Sequence, residues 1–223
     1  VAANGWQWPG GGEPRAAAAA AAAKAASKGG GDDKLGRLGT SAGCNNDVVC
    51  LAASNGMQRA KQAVVQIVTD GGSRGRAWSA VCTGTLVNSA QRRPLILTAR
   101  HCLDGGEDVA NWGFIWNYEK SSCGGSSASS GPDHFLQGAR IAFVHPPSDV
   151  LLLELPEAPP AAFDAHYLGW DASGAPGRGT HVSIHHPSGD WKKMSLAGGA
   201  LSETTCPFCG GWAASHWLPG RRG

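Results

Sequence analysis

The stretch from Ala80 to Leu103 restricts the possible folds of this chain more than any other part of its sequence. Two apolar runs are joined there by a polar turn, which is the pattern of a β-hairpin. Cys82 lies in the first run, and His101 and Cys102 follow directly after the second. A disulfide between Cys82 and Cys102 would lock the hairpin and hold His101 at a fixed place on the rim of a sheet, as a catalytic base requires. The alternative is a disulfide-stapled hairpin with a surface histidine.

Charge and cysteine content limit the class of protein. The 223 residues carry a net charge of only +2 and no long block of Lys or Arg, so we expect no nucleic-acid or membrane partner. No apolar run approaches the roughly 20 residues that span a bilayer. The seven cysteines indicate disulfides and an oxidising compartment. The chain begins at Val1 rather than Met and shows no signal-peptide core, so we interpret it as a piece of a longer precursor.

Residues 1–38 differ from the rest of the chain. Their centre is nearly pure alanine and is followed by a run of glycines. Alanine is the best helix former, but so short a helix is marginal without a packing partner. We interpret residues 1–38 as a linker or pro-segment remnant, with a membrane or partner helix as the alternative.

The remaining chain, residues 39–223, has the pattern of an all-β domain. Short apolar runs alternate with turns rich in glycine and proline, and no helix pattern separates them. Closely spaced short strands of this kind favour closed antiparallel barrels. The predicted strands cover residues 62–70, 76–88, 95–99, 111–118, 139–144, 150–155, 180–185 and 191–196.

Seven sequence blocks between residues 40 and 194 resemble the trypsin-like serine proteases, most closely the bacterial lysyl endopeptidases, in the family's order. They are residues 43–50 (GCNNDVVC), 82–88 (CTGTLVN), 97–102 (LTARHC), 116–118 (WNY, with Cys123), 148–155 (SDVLLLEL), 169–171 (GWD) and 184–187 (IHHP). The resemblance implies two antiparallel β-barrels with the active site between them. We expect the first barrel at about residues 40–144 and an incomplete second barrel at about 145–223.

The resemblance also implies a catalytic histidine and aspartate. In such proteases a histidine takes the proton of a nucleophilic serine, and a buried aspartate orients that histidine. His101 and Asp149 match these two roles. Asp149 directly precedes an apolar run, where a carboxylate is desolvated unless it is paired. A strand-capping aspartate is the alternative.

The nucleophilic serine has no convincing match in the sequence. Ser173 lies in an Asp-Ala-Ser-Gly turn that follows the GWD block, Ser188 belongs to the His-Pro turn, and residues 126–130 form a low-complexity loop. By the order of the blocks, we expect the serine and the residues of the specificity pocket beyond Gly223. The chain by itself is therefore expected to be inactive.

The resemblance implies disulfides Cys82–Cys102 and Cys50–Cys123, and it leaves Cys44 without a partner here. Cys206 and Cys209 have no counterpart. A C-x-x-C pair can form a local disulfide, a redox pair or half of a zinc site, and without a second cysteine pair nearby the zinc site is the least favoured. Adjacent strand residues point to opposite faces, so a structural turn is the preferred interpretation of His185 and His186.

The sequence therefore predicts a secreted bacterial serine endopeptidase that cleaves after a basic residue, Lys or Arg. We expect protein or peptide substrates, no cofactor or metal, and a monomer when the chain is complete. Two alternatives remain open: a binding protein that kept the protease fold but lost its nucleophile, and a disulfide-rich or zinc-binding secreted domain.

Overall fold

The computed structural model describes residues 41, 45–51, 54–69, 79–106, 108–127, 129, 134–171 and 178–200. The segment 1–38 and residues Cys44, Ser173, Cys206 and Cys209, about which the sequence made predictions, lie outside these residues. Two α-helices are present in the described part, α1 (Val48–Leu51) and α2 (Asn55–Ala63). The strands are β1 (Asn46–Asp47), β2 (Val64–Thr69), β3 (Ser79–Val87), β4 (Leu95–Ala99), β5 (Gly113–Trp116), β6 (Phe135–Gln137), β7 (Arg140–His145), β8 (Val150–Glu154), β9 (Arg178–His185) and β10 (Lys193–Ala200). Short 3-10 helices cover Arg100–Leu103, Val109–Asn111, Pro146–Ser148, Ala161–Phe163 and Pro187–Gly189.

Seven of these strands form one antiparallel sheet that curls into a barrel. Their order is β6-β5-β2-β3-β4-β8-β7. Strands β6 and β7 lie at opposite ends of this order, yet only Gly138 and Ala139 separate them in the chain. The ends of the sheet are therefore neighbours, as a closed barrel requires. Gly138 makes the bend with a φ of 89°, and its N–H donates to the carbonyl of Trp112 at 2.7 Å.

The barrel interior is filled by the inward-facing residues of its strands. Gly84 leaves the space that Ile96 occupies, since a Cβ at residue 84 would lie 2.5 Å from Ile96 Cγ2. Each large apolar side chain buried here contributes about 1.5–3 kcal/mol. The fully buried members of this core are Val65, Ile67, Leu86, Ile96, Trp112, Phe114, Trp116, Leu151 and Leu153.

A second, smaller sheet has the strand order β1-β10-β9. Strands β9 and β10 form a hairpin from Lys193↔His185 to Ala200↔Arg178. Two side chains of the barrel hold the turn that precedes β10. Gln66 Nε2 donates to the carbonyl of Gly189 at 2.8 Å, and the N–H of His186 donates to Thr83 Oγ1 at 2.9 Å.

The predicted boundary between the barrels, near residue 144, is wrong for the described strands. Strand β8 belongs to the first barrel because it pairs with β4 along its whole length and with β7. The prolines at 146 and 147 make a tight turn between β7 and β8 rather than a domain border. The first barrel also does not begin at residue 40, since Asn46 and Asp47 pair with Met194 and Lys193 of the second sheet.

Other element predictions need smaller corrections. Helix α2 was missed, and Gln62 and Ala63, predicted as strand, form its last turn. Its N-terminus is capped by Ser54 Oγ, which accepts from the N–H of Met57 at 3.2 Å. Strand β8 was expected to be buried throughout, but its burial alternates, with Leu151 and Leu153 inward.

Candidate active site

His101 lies directly beyond the end of β4, in the 3-10 helix Arg100–Leu103. The predicted disulfide Cys82–Cys102 is present and ties this helix to β3, with the two Cα atoms 6.2 Å apart. One residue before the end of β4, Thr98 Oγ1 donates to the carbonyl of Thr83 at 2.8 Å. The backbone around His101 is thus fixed from both sides, as predicted from the hairpin pattern.

Asp149 lies in the tight turn between β7 and β8, next to the paired residues His145 and Val150. Its φ of 54° and ψ of 34° are left-handed, a conformation that aspartate tolerates better than most residues. The Asp149 N–H donates to the carbonyl of Pro146 at 3.1 Å, and the Asp149 carbonyl accepts from the N–H of Arg100 at 2.9 Å. The turn is therefore bound directly to the segment that carries His101.

The side chains of His101 and Asp149 form a hydrogen-bonded pair. Nδ1 of His101 lies 2.6 Å from Asp149 Oδ2, and the backbone N–H of His101 donates to Oδ1 at 2.8 Å. An ionised carboxylate only accepts hydrogen bonds, so Nδ1 carries the proton and Nε2 offers a lone pair. The imidazole is 62% exposed, whereas the Asp149 side chain is 15% exposed. The pair therefore presents a basic nitrogen to solvent and shields the group that orients it.

The carboxylate of Asp149 is held in its ionised form. Partial burial alone would raise its pKa, but the hydrogen bonds from the His101 ring and backbone outweigh burial, with help from the charges of His101 and Arg100. The pKa of Asp149 consequently lies below its usual value. At neutral pH the residue stays ionised and can stabilise an imidazolium on His101.

The remaining predicted site features are the second disulfide and the candidate serines. The second predicted disulfide, Cys50–Cys123, is present and joins α1 to the loop after β5. None of the serines in the described part of the chain is hydrogen-bonded to Nε2 of His101. Ser188, one of the rejected candidates, lies in the turn Pro187–Gly189 with a φ of 53°.

A grouping of metal-ligand type in the described ranges consists of Cys82, His101 and Cys102. Both sulfur atoms are bonded to each other, so neither is a thiolate, the form in which cysteine binds metal. This grouping does not form a metal site.

His185 is the last residue of β9, and His186 begins the structural turn that the sequence suggested before Pro187. His186 is buried, and its Nδ1 lies 3.0 Å from the carbonyl of Asp190. Burial and the nearby charge of Lys192 hold the pKa of His186 well below its usual value. It is therefore neutral and joins the second sheet to the barrel rather than serving as an exposed base. Sequence reasoning missed the partner of this turn, Thr83, because the two residues are 103 positions apart.

Comparison with known proteins shows the family of the chain. Residues 38–221 match the family described as the lysyl endopeptidase, C-terminal domain. The chain is 34% identical over 163 residues to a lysyl endopeptidase from Pseudomonas aeruginosa; the match covers 70% of this chain and 34% of that protein. The chain therefore spans about a third of the length of this relative.

Two solved structures are also similar at a lower level. An inactive mutant of Rv3671c from M. tuberculosis aligns with a TM-score of 0.44 and 17% identity, over 71% of this chain and 63% of the other. The HtrA-type protease AlgW, solved with a decapeptide, aligns with a TM-score of 0.39 and 13% identity, over 70% of this chain and 53% of the other.

The fold and the match along most of the chain define its class, that of the trypsin-like serine proteases. Within this class, the chain belongs to the lysyl endopeptidase C-terminal domain family. In the ranges that the structure describes, no helix is both long and apolar enough to pass through a lipid bilayer.

Proposed function

We propose that this protein is a secreted serine endopeptidase that cleaves peptide bonds after a basic residue, with lysine preferred over arginine. The observation that carries the proposal is the His101–Asp149 pair, in which both carboxylate oxygens bind the histidine and Nε2 has no hydrogen-bond partner among the described residues. Lysine is preferred because the family and its relative are named for that residue.

His101 acts as the base of the reaction. Its Nε2 takes the proton of a serine hydroxyl as the serine attacks the carbonyl of the scissile bond. The imidazolium that forms is stabilised by Asp149, and it then gives the proton to the departing amine. A water molecule, activated by the same nitrogen, releases the acyl group from the serine. The serine is proposed to lie outside the described residues.

The disulfides support a secreted protein. Both Cys50–Cys123 and Cys82–Cys102 are formed, and such bonds persist in oxidising compartments. Protein and peptide substrates follow from the proposed reaction. The proposed mechanism needs no cofactor, and it needs no second copy of the chain.

The test uses the full-length protein with two peptide substrates that differ only in Lys or Arg before the scissile bond. We expect faster cleavage after lysine and complete inhibition by a serine-directed phosphonate. Mass spectrometry of the labelled protein then locates the serine. The His101→Ala variant should lose activity and labelling, whereas Ser173→Ala should keep both.

Each contrary result is informative. Labelling of Ser173 would refute our choice of nucleophile, and activity that survives in His101→Ala would refute the proposed base. Equal cleavage after lysine and arginine would refute the preference but leave the mechanism intact.

A further inference from the structure

We propose that the folded domain withholds its lysine side chains, but not its arginines, from solvent, and that this protects it against cleavage by a lysine-specific protease such as itself. The inference rests on the proposed preference for lysine. It is carried by the contacts of the four lysines whose side chains the structure describes, Lys61, Lys120, Lys192 and Lys193.

Two of these lysines share one buried carboxylate. Lys61, at the end of α2, forms an ion pair with Glu119 Oε1. Lys192 lies 3.6 Å from Glu119 Oε2, and its Nζ donates to the carbonyl of Lys61 at 2.8 Å. Lys192 is fully buried, so no protease pocket can take up this side chain unless the contact between α2 and the second sheet opens.

The other two lysines share the carboxylate of Asp47. Lys193 Nζ lies 2.6 Å from Asp47 Oδ1 and 3.2 Å from Asp190 Oδ2. Lys120 Nζ lies 2.9 Å from Asp47 Oδ2. All four lysines therefore meet in one region, which we call the lysine seam: the contact of β1 and the start of β10 with α2 and the segment after β5.

The arginines have the opposite distribution. Side chains in the lysine seam are 0–20% exposed. Three arginines that also form ion pairs, Arg93, Arg100 and Arg140, are 40–44% exposed. Arg59 and Arg92 are exposed as well. Both residue types find carboxylate partners, so the difference is not one between paired and unpaired cations.

General physical chemistry favours the reverse arrangement. Arginine is weakly hydrated and binds carboxylates with two parallel hydrogen bonds, which suits it to buried ion pairs. The ammonium group of lysine is more strongly hydrated than a guanidinium, so its burial costs more. The penalty is visible at Lys192, where burial lowers the pKa to about 8. A chain that buries lysine and exposes arginine gains no stability by that choice, but it does remove the residue that its own activity would recognise.

Cleavage in the lysine seam requires local opening. A protease needs the lysine side chain in its pocket and an extended backbone on both sides, so an ordered and paired lysine is cut only when its segment opens. Lys120 is the most accessible of the four, at 20%, and lies in a loop whose partner is Asp47. Asp47 is therefore the residue whose loss should expose a lysine first.

The test uses the full-length protein carrying His101→Ala, so that it cannot digest itself, with the lysyl endopeptidase of Pseudomonas aeruginosa added as the probe. Cleavage sites are mapped over time by mass spectrometry, in the native protein and after unfolding in urea. We expect cleavage after Lys61, Lys120, Lys192 and Lys193 to be at least about 100-fold slower in the native protein. Lys24, Lys28 and Lys34 are counted separately because they lie outside the described residues.

Two variants and one control distinguish protection of the lysines by burial from a fold that resists proteolysis everywhere. Arg92→Lys places a lysine in the exposed turn between β3 and β4 and leaves the lysine seam intact; we expect a new cut after residue 92, at least about tenfold faster than at any lysine of the seam. Asp47→Asn should speed the cut after Lys120 by a similar factor, while Asp104→Asn, which removes the partner of an exposed arginine, should not.

The outcomes are distinct from those that test the proposed function. Rapid native cleavage in the lysine seam, or an Arg92→Lys protein that stays uncut, overturns the inference. The added protease makes these results independent of the activity of the protein. If the active protein instead cleaves after arginine, the proposed preference fails, and the arginines rather than the lysines would have needed protection.

Discussion

The rim of the barrel, where His101 and Asp149 lie, and the lysine seam both place a basic side chain against a carboxylate, but the two regions are built in opposite ways. At the rim, a single imidazole is largely exposed, and its partner Asp149 has each oxygen satisfied by His101. In the seam, Lys192 is fully buried and Glu119 Oε2 accepts no hydrogen bond within normal distance. An exposed imidazole whose carboxylate partner is fully hydrogen-bonded can accept and release a proton, whereas separating a buried pair destabilises the fold because it leaves an uncompensated charge. The difference is consistent with the proposed proton transfer at the rim and with a structural role for the seam.

Asp149→Asn should have the largest effect on the rim. An amide at this position can donate to Nδ1, which favours the tautomer with its proton on the wrong nitrogen. We expect kcat of the active protein to fall by about 10⁴-fold with little change in KM. Glu154→Gln, a carboxylate of the same barrel paired with Arg93 and Arg140, is the control and should change kcat less than about threefold. If kcat of Asp149→Asn fell by less than tenfold, Asp149 would have no essential part in the reaction.

The two disulfides should have different effects: we expect one to affect stability alone and the other to affect kcat as well. Replacing Cys50 and Cys123 by alanine removes a link across 73 residues, and we expect the free energy of unfolding to fall by about 2–4 kcal/mol with kcat retained. Replacing Cys82 and Cys102 removes a link across 20 residues that fixes His101, and we expect kcat to fall as well. Urea unfolding and turnover at low temperature measure the two effects. Equal loss of kcat in both double variants would show that Cys82–Cys102 has no special role in fixing His101.

Because of Lys192 in the lysine seam, the free energy of unfolding should depend on pH. The pKa of Lys192 is about 8 in the folded protein against 10.5 as the ordinary value. The unfolded chain therefore binds more protons between these values, so the free energy of unfolding should rise as pH increases from 8 towards 10. Glu119, Lys61 and His186 are the charged or titratable groups that act on it.

Lys192→Met measures this contribution. We expect the rise, on the order of 1–3 kcal/mol, to be reduced in the variant when urea unfolding is followed at several pH values. An unchanged rise would show that Lys192 does not titrate in this range.

A comparably small effect is expected where the turn before β10 meets the barrel. Thr83→Val keeps the side-chain shape but leaves the His186 N–H without its acceptor, which should lower the free energy of unfolding by about 1–3 kcal/mol. Thr83→Ser retains the hydroxyl and should lose less. Equal losses in the two variants would show that packing, rather than the hydrogen bond, is what Thr83 supplies.

The rim was more predictable from the sequence than the seam, for a physical reason. His101 follows one apolar run and Asp149 precedes another, and the hairpin with two cysteines suggests where the histidine is held. The pairing of His101 with Asp149 was predicted from the sequence blocks that resemble a known family, not from the local pattern alone. The border of the barrel was misplaced because the pairing of β8 with β4 is non-local, and the two prolines before it mimic a domain border. The pairing of Asn46 with Met194 is likewise invisible in local pattern.

The seam left only a faint signal in the sequence. Lys192 and Lys193 follow a tryptophan and precede a methionine, which places two cations in an apolar setting, but their partners Glu119 and Asp47 are distant in the chain. Helix α2, which carries Lys61, was missed because its sequence is mostly polar and lacks an apolar stripe.

The measurement that tests the central claim most directly is the position of the imidazole proton of His101, observed by NMR with 15N-labelled histidine. We expect a strongly downfield proton attached to Nδ1 of the neutral imidazole, with Nε2 unprotonated, and the loss of that signal in Asp149→Asn and His101→Ala. A His101 proton found on Nε2, with Nδ1 bare, would contradict it.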